Sequence, residues 1–321
     1  MKLLPFAPTI LEHAAALTGQ TPSKAAQSAS LMARAHIEAF RRYCPAAVTV
    51  GVDVYNIEAE ALGCRVRFYD DASVPGIVTH PLTVESDPAQ ITFSPRLGRI
   101  RLIVDAASRV KEAAGAETAV NVGICGPFSI LIELLGYEAA VVAFCDDDAR
   151  AVPLLEAILA FQKRYCEEIA ANGLGATVFE SWASPPLVSP QFYRAYAAPY
   201  ERELFAHMAR LGMASRPLVI GGDTRETVDD ILATGTTLLV SDYNTPLPLY
   251  AEKARAKGVT LRANIDPKLV RSGDWEPIQA RICEIYAQAE TTPKLIIGTG
   301  VIPYDTPPEH LLRAKEMANE K

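Results

Sequence analysis

Acidic, hydroxyl and aromatic side chains follow one short apolar run, in the stretch ATVFESWAS (176–184). An unpaired carboxylate is costly at a buried strand end, so Glu180 indicates a cap, a ligand contact or a catalyst. Neighbouring strand residues alternate sides, which predicts Glu180 and Trp182 on one side and Ser181 on the other. If that side faces a binding site, the indole would raise the pKa of Glu180 towards the range useful for proton transfer. The alternative is that Trp182 packs and Glu180 accepts a hydrogen bond from a loop amide.

Polar residues also follow several other apolar runs. Asp53 could bind an NH-rich or cationic substrate, or it could cap a helix or bond a loop. Asp266 precedes Pro267 and is expected to form a turn, which leaves Asn264 as the inward residue of its run. Tyrosines near these runs could supply walls or proton donors for a flat ligand. The residues predicted to contact a substrate are Asn56, Phe128, Trp182, Asp242, Tyr243, Asn264 and Tyr304.

Strands and helices alternate along most of the chain, and this alternation must position the polar residues. Seven β-branched runs typical of buried strands begin near residues 47, 119, 176, 216, 236, 259 and 294. An eighth strand is expected near residues 140–144, or not at all. No GxGxxG follows the first run, which favours a closed (β/α)8 TIM barrel over a doubly wound sheet. Barrel active sites lie at the carboxyl ends of the strands, so the polar residues are expected to meet at one mouth.

The composition restricts the classes of partner. The formal net charge is -7, and no basic cluster is longer than Arg41–Arg42, which argues against nucleic acid. The apolar run in the start MKLLPFAPTILEH is too short for a signal peptide. No apolar stretch approaches the length of a membrane span. A cytoplasmic protein is therefore expected. The six cysteines show no CxxC pair and no spacing of a structural zinc site.

Four segments carry a resemblance to the uroporphyrinogen decarboxylase superfamily. They are GVDVYNIEAEALGC (51–64), GICGPFSILIELLG (123–136), ESWASPPLVSPQFYRAYAAPY (180–200) and GTGVIPYDTPPEHL (298–311). The chain is identified as a member of that superfamily, closest to its corrinoid-dependent methyltransferase-like branch. The resemblance implies one TIM-barrel domain over residues 1–321, with an N-terminal helical extension (1–45) and a surface excursion (64–95).

The chain departs from both well-known reactions of the superfamily. Decarboxylases carry an N-terminal pair of arginines that clamps the carboxylates of the porphyrinogen, whereas the arginines of residues 1–45 occur in a helix-like context. The methyltransferases bind zinc through a His-x-Cys pair and a later Cys, and the matching positions here are Val219, Gly221 and Gly300. The resemblance therefore implies that zinc in this usual form is absent.

The resemblance implies transfer of a methyl group between a small non-thiol substrate and a corrinoid (cobalamin) carried by a partner protein. Glu180, Asp53 and Asp223 are the predicted catalytic residues, because demethylation of an oxygen or nitrogen leaves a group that must be protonated. The resemblance also suggests a homodimer. The alternatives are a decarboxylase or other lyase acting on a tetrapyrrole-like or smaller carboxylated substrate, and a non-catalytic binding protein.

Overall fold

The computed structural model describes residues 3–145 and 150–320. The strands are β1 (Phe6–Thr9), β2 (Ala47–Val50), β3 (Val66–Arg67), β4 (Gly76–Ile77), β5 (Ala119–Cys125), β6 (Gly175–Phe179), β7 (Leu218–Val219), β8 (Leu238–Ser241), β9 (Thr260–Ile265) and β10 (Leu295–Val301). The helices are α1 (Glu12–Ala16), α2 (Pro22–Ala26), α3 (Ala29–Tyr43), α4 (Ile57–Ala61), α5 (Ile100–Ala114), α6 (Pro127–Leu135), α7 (Tyr137–Cys145), α8 (Ala151–Ala171), α9 (Pro190–Tyr196), α10 (Ala198–Arg210), α11 (Val228–Ala233), α12 (Leu247–Lys257), α13 (Pro267–Ser272), α14 (Trp275–Ala287) and α15 (Pro308–Asn319), with 3-10 turns at Pro88–Gln90 and Ser181–Ala183.

Eight strands form a parallel (β/α)8 barrel. Two four-stranded arcs run in the orders β1-β10-β9-β8 and β2-β5-β6-β7. A bridge between Pro217 and Leu238 joins β7 to β8, and the Ala46 N–H donates to the Phe6 carbonyl at 3.3 Å, which joins β1 to β2. The arcs therefore close into one ring, as the alternation of strands and helices predicts.

The eighth strand lies at the start of the chain, and its expected position near residues 140–144 is wrong. Those residues belong to α7, whereas β1 pairs with β10 through Phe6–Ile297 and Ala7–Gly298. The segment 1–45 thus supplies a barrel strand as well as three helices. In the segment 64–95, predicted to be a surface excursion, β3 and β4 pair antiparallel.

The two faces of the barrel strands differ in chemistry. On β9, Leu261, Ala263 and Ile265 are fully buried in the main hydrophobic core. The alternate residues Arg262 and Asn264 point into the barrel, where a Cβ at Gly298 of the adjacent strand would overlap both side chains. The sheet therefore buries aliphatic residues against the helices and holds polar residues inside the ring.

The helices cover the outer face of the sheet. On α8, the apolar stripe that faces the sheet is buried and includes Leu154, Ile158, Phe161, Tyr165 and Ile169. In α15, Pro307 is the N-cap, and the Thr306 hydroxyl has no hydrogen-bond partner in the described chain. No single helix among the described residues is long and apolar enough to cross a membrane, although α6 and α7, bent by 114°, pass that test together.

Candidate active site

Glu180 follows β6 and is completely buried. Its carboxylate accepts a hydrogen bond from the Ser129 N–H at 2.6 Å, in the first turn of α6. Burial raises the pKa of Glu180 to about 7, and the bonds from Ser129 oppose that rise. A Cβ at Gly126 would overlap the carboxyl group, so glycine is needed for this close approach. The structure thus shows the amide contact that was the alternative interpretation of Glu180.

The two residues after Glu180, Ser181 and Trp182, contact different parts of the structure. The Trp182 indole donates to Glu133 of α6 at 2.7 Å, and its backbone N–H donates to the Ser129 hydroxyl at 3.1 Å. Ser181 instead contacts the Tyr55 hydroxyl at 2.6 Å. Glu180 and Trp182 therefore both contact α6, whereas Ser181 contacts Tyr55.

A second buried acid, Glu201, lies close to Glu180. It accepts the Tyr193 hydroxyl at 2.6 Å, and burial together with the charge of Glu180 raises the pKa of Glu201 well above its usual range. This environment therefore favours the protonated form of Glu201. Sequence reasoning missed it, although a visible signal exists: it occupies an apolar-face position of α10, ahead of Leu204 and Met208.

Asp53 is buried but not free. Arg99 holds its carboxylate through two bonds of 2.9 and 2.7 Å, and Asn56 donates to it at 2.9 Å. The same guanidinium donates to Glu60 at 2.5 Å. Because a cation already neutralises Asp53, a cationic substrate would have to displace Arg99. No feature of the sequence indicates that residues 46 positions apart form this pair.

Asp223 and Asp242 fix the loops that follow β7 and β8. Asp223 is 40% exposed in its side chain and pairs with Arg225 at 2.5 Å. The bonds from Arg225 lower the pKa of Asp223. Asp242 accepts the N–H groups of Gly222 and Tyr243, each at 2.9 Å. Both carboxylates therefore have local partners.

The remaining predicted contacts are dispersed. Asn264 is buried and directed into the barrel, as predicted, and its Oδ1 has no hydrogen-bond partner in the described chain. Phe128 is fully buried and packs against Phe144 and Phe192. Tyr304 donates to the Gln20 carbonyl at 3.1 Å. For Tyr243, burial raises the pKa of the phenol, and the charge of Asp266 adds to that rise.

Glu12, Tyr55 and Ser181, here called the mouth group, lie at the carboxyl end of the barrel. Tyr55 and Ser181 share a hydrogen bond of 2.6 Å, and the charge of Glu12 acts on Tyr55. They adjoin an apolar cluster of Leu11, Val54 and Phe179, against which Tyr55 packs. Burial raises the pKa of Glu12 to about 7, and no side chain in the described chain donates a hydrogen bond to it. Burial raises the pKa of Tyr55 to about 12, and the charge of Glu12 contributes to that rise.

Sequence reasoning also missed Glu12 and Tyr55 of the mouth group. Glu12 lies three residues after strand β1 (Phe6–Thr9). Once β1 is recognised as a strand, this is the expected position of an acid at a strand end. A half-buried carboxylate without a cation, titrating near neutral pH, can both give and take a proton.

The family model of uroporphyrinogen decarboxylase (URO-D) matches residues 2–320. The chain belongs to the uroporphyrinogen decarboxylase family. The family assigned by resemblance is thereby confirmed, and so is its barrel fold.

The chain is similar to proteins named as methyltransferases and to one named as a decarboxylase. The chain is 26% identical to methylcobamide:CoM methyltransferase MtbA of Methanosarcina mazei, over 85% of this chain and 79% of that protein. It is 29% identical to uroporphyrinogen decarboxylase of Halalkalibacterium halodurans, over 48% of this chain and 43% of that one. A solved methyltransferase from Methanosarcina mazei shares the fold with a TM-score of 0.84 at 17% identity, covering 100% of this chain and 94% of that one.

The His-x-Cys and Cys pattern that the resemblance implies for zinc does not fit this chain. Val219 packs beside the apolar cluster at the mouth, and Gly221 and Gly300 have no side chain to donate. A Cβ at Gly300 would lie 3.0 Å from the Pro267 ring, so this position is filled by its neighbour. Within residues 3–145 and 150–320, no three His, Cys, Asp or Glu side chains are grouped so as to hold a metal ion.

Proposed function

We propose that this member of the URO-D family transfers a methyl group between a small non-thiol substrate and a corrinoid carried by a partner protein. The similarity to MtbA over 85% of the chain supports the class of reaction. Thiol activation by zinc is a poor fit at Val219, Gly221 and Gly300, which supports an ether or amine as the methyl donor. A homodimer, suggested by the resemblance, belongs to the same proposal.

The mouth group carries the proposal. Removing a methyl group from an ether oxygen leaves an alkoxide or phenoxide, which must take up a proton. A carboxyl group with a pKa of about 7 is half protonated at neutral pH, so Glu12 can donate that proton and recover it from water. A reduced corrinoid on the partner would supply the nucleophile that accepts the methyl group.

The other acids have positioning roles in this proposal. Glu180 was predicted to be catalytic, but its burial against α6 favours Glu12 as the proton donor. By fixing the turn at Ser181, Glu180 positions the hydroxyl that contacts Tyr55. Asp53 and Asp223, also predicted to be catalytic, are each held by an arginine and stabilise the loops around the mouth.

The class of reaction is tested by mixing the protein with reduced cobalamin and a panel of methoxylated, N-methylated and S-methylated donors. We expect the absorbance of methylcobalamin to appear with a methoxylated or N-methylated donor and not with a thioether. Methylation by no donor would overturn the proposal. Release of carbon dioxide from a porphyrinogen in a parallel incubation would instead favour the lyase.

A further inference from the structure

A cavity of about 120 Å³ lies inside the barrel towards the amino ends of the strands. Its wall includes Ala47, Ala119 and Leu238, which are the first residues of β2, β5 and β8, and it extends up to Phe179 at the end of β6. Phe179 also belongs to the apolar cluster at the mouth. The cavity is therefore separated from the mouth group by that cluster.

Arg262 projects into this cavity from β9. One of its nitrogens, Nη2, donates to the Thr9 hydroxyl and to the Thr299 carbonyl, the latter at 2.7 Å. Its Nε is buried without a partner, and its Nη1 makes no hydrogen bond within the described chain. Two of the three donor nitrogens are thus unused.

No acid in the cavity wall balances this guanidinium. The wall contains no Asp or Glu, and the His36 ring is neutral because burial lowers its pKa to about 4. The acid whose charge acts on Arg262 is Asp242, and its carboxylate is already bonded to two backbone N–H groups at the other end of the barrel. Burial without a close counter-charge lowers the pKa of Arg262 to about 10.

The wall also offers neutral polar groups at the same height in the barrel. Thr49 and Thr177 share a hydrogen bond of 3.2 Å, and the Asn121 amide donates to Thr177 at 3.1 Å. These residues line the cavity together with Arg262. A polar cavity of this size has room for a few small atoms, since a single water needs on the order of 10–15 Å³ on this measure.

We propose that the interior of the barrel is a binding site for a small monovalent anion, of the size of a carboxylate or a halide, held by the guanidinium of Arg262. Charge-assisted bonds to the unused nitrogens would satisfy a cation that the wall leaves unpaired. This site is independent of the proposed methyl transfer, because it lies on the other side of Phe179.

The test is a titration of the full chain with sodium acetate, followed by thermal denaturation and by line broadening of 13C-labelled acetate. Sodium chloride is titrated in parallel to distinguish a halide from a carboxylate, and acetamide serves as the neutral match of acetate. We expect a saturable rise of the melting temperature with acetate or chloride, and none with acetamide. Equal responses to acetate and acetamide, or no saturable response to either salt, would overturn the proposal.

Variants assign the effect to Arg262. R262M removes the charge and should weaken anion binding at least about tenfold, as loss of a bond to a charged group predicts. R313M is the matched control, because it removes one exposed arginine of α15 and should leave the titration unchanged. N121D keeps the side-chain shape but places a carboxylate in the cavity, so it should weaken acetate binding even if R262M fails to fold. Wild-type affinity in N121D would contradict the assignment.

Discussion

Two carboxylates near the mouth titrate close to neutral pH because burial is not offset by a cation. Glu12 and Glu180 both have a pKa raised to about 7 by burial. Asp53 is also buried, but Arg99 pairs with its carboxylate at 2.7 Å. Carboxyl groups such as Glu12 and Glu180, which have no cation beside them, can exchange protons at pH 7. A carboxylate held by a guanidinium serves mainly to join secondary-structure elements.

Glu58 allows this effect of burial to be measured away from the mouth. It is fully buried, accepts the Cys125 N–H at 2.9 Å, and has its pKa raised by burial to about 8. The folded protein therefore holds a proton that the unfolded chain loses near pH 4.5, so this contribution to stability is lost as the pH rises towards 8. E58Q lacks this titrating group and should not lose that stability. The free energy of unfolding of E58Q minus that of the wild type should therefore rise by about 3–5 kcal/mol from pH 5 to pH 8, as measured by urea unfolding.

The control for Glu58 is E117Q, which changes an exposed acid. Its free energy of unfolding should follow that of the wild type at both pH values. If the free energies of unfolding of E58Q and the wild type differed by the same amount at pH 5 and pH 8, Glu58 would not be protonated in the folded protein.

The acids of the site were predicted by residue type, but their partners were not. A strand followed by a polar residue is visible in the sequence, and this pattern identified Glu180, Asp53 and Asp242. Whether such an acid is catalytic depends on what lies opposite it, and the arginine opposite Asp53 is 46 residues away. Long-range pairs of this kind leave no periodic pattern in the chain.

At the level of the elements, short or ambiguous segments were the ones misjudged. Strand β1 has only four residues and includes Pro8, with Pro5 just before it, and proline normally argues against a strand. The eighth strand was expected at residues 140–144, with the sequence AVVAF. This apolar run is equally compatible with a buried helix, and it lies in α7. The seven β-branched runs were predicted correctly, because both of their faces are covered.

Arg99 joins three elements and should be important for stability. It bonds Asp53 after β2, Glu60 in α4 and the Ala26 carbonyl at the end of α2. R99M would leave Asp53 buried without its cation, and we expect a loss of about 3–5 kcal/mol in the free energy of unfolding. R101M, two residues along α5 and 70% exposed, is the control and should change it by less than about 0.5 kcal/mol. Equal effects of the two substitutions in urea unfolding would refute this role of Arg99.

At the level of the whole molecule, the barrel is closed by the first strand of the chain. The Ile297 N–H donates to the Pro5 carbonyl at 2.9 Å, and the Ile302 N–H to the Thr9 carbonyl at 3.0 Å. Closure was predicted from the alternation of strands and helices, but the strand that completes the ring was not. β1 also delivers Glu12 to the mouth, so the missed strand and the missed site residue have the same cause.

Hydrogen exchange tests this closure. The amides of Ile297 and Ile302 should exchange as slowly as those of β9, because unpairing β1 would open the ring. The amide of Val78, which bonds the Arg65 carbonyl in the exposed excursion, should exchange much faster. Exchange at Ile297 and Ile302 as fast as at Val78 would show that β1 frays from the barrel.

The central claim is that Glu12 protonates the group left behind when the methyl is transferred. The most direct measurement is the rate of cobalamin methylation against pH, for the wild type and E12Q, with an aryl methyl ether and with tetramethylammonium as donors. Tetramethylammonium leaves as neutral trimethylamine and needs no proton. With the ether, we expect the wild-type rate to fall as the pH rises through about 7. E12Q should react with the ether about 10²–10⁴-fold more slowly than the wild type. With tetramethylammonium, the two proteins should react at equal rates at all pH values. An E12Q rate equal to that of the wild type with the ether, or equally reduced with both donors, would contradict the account.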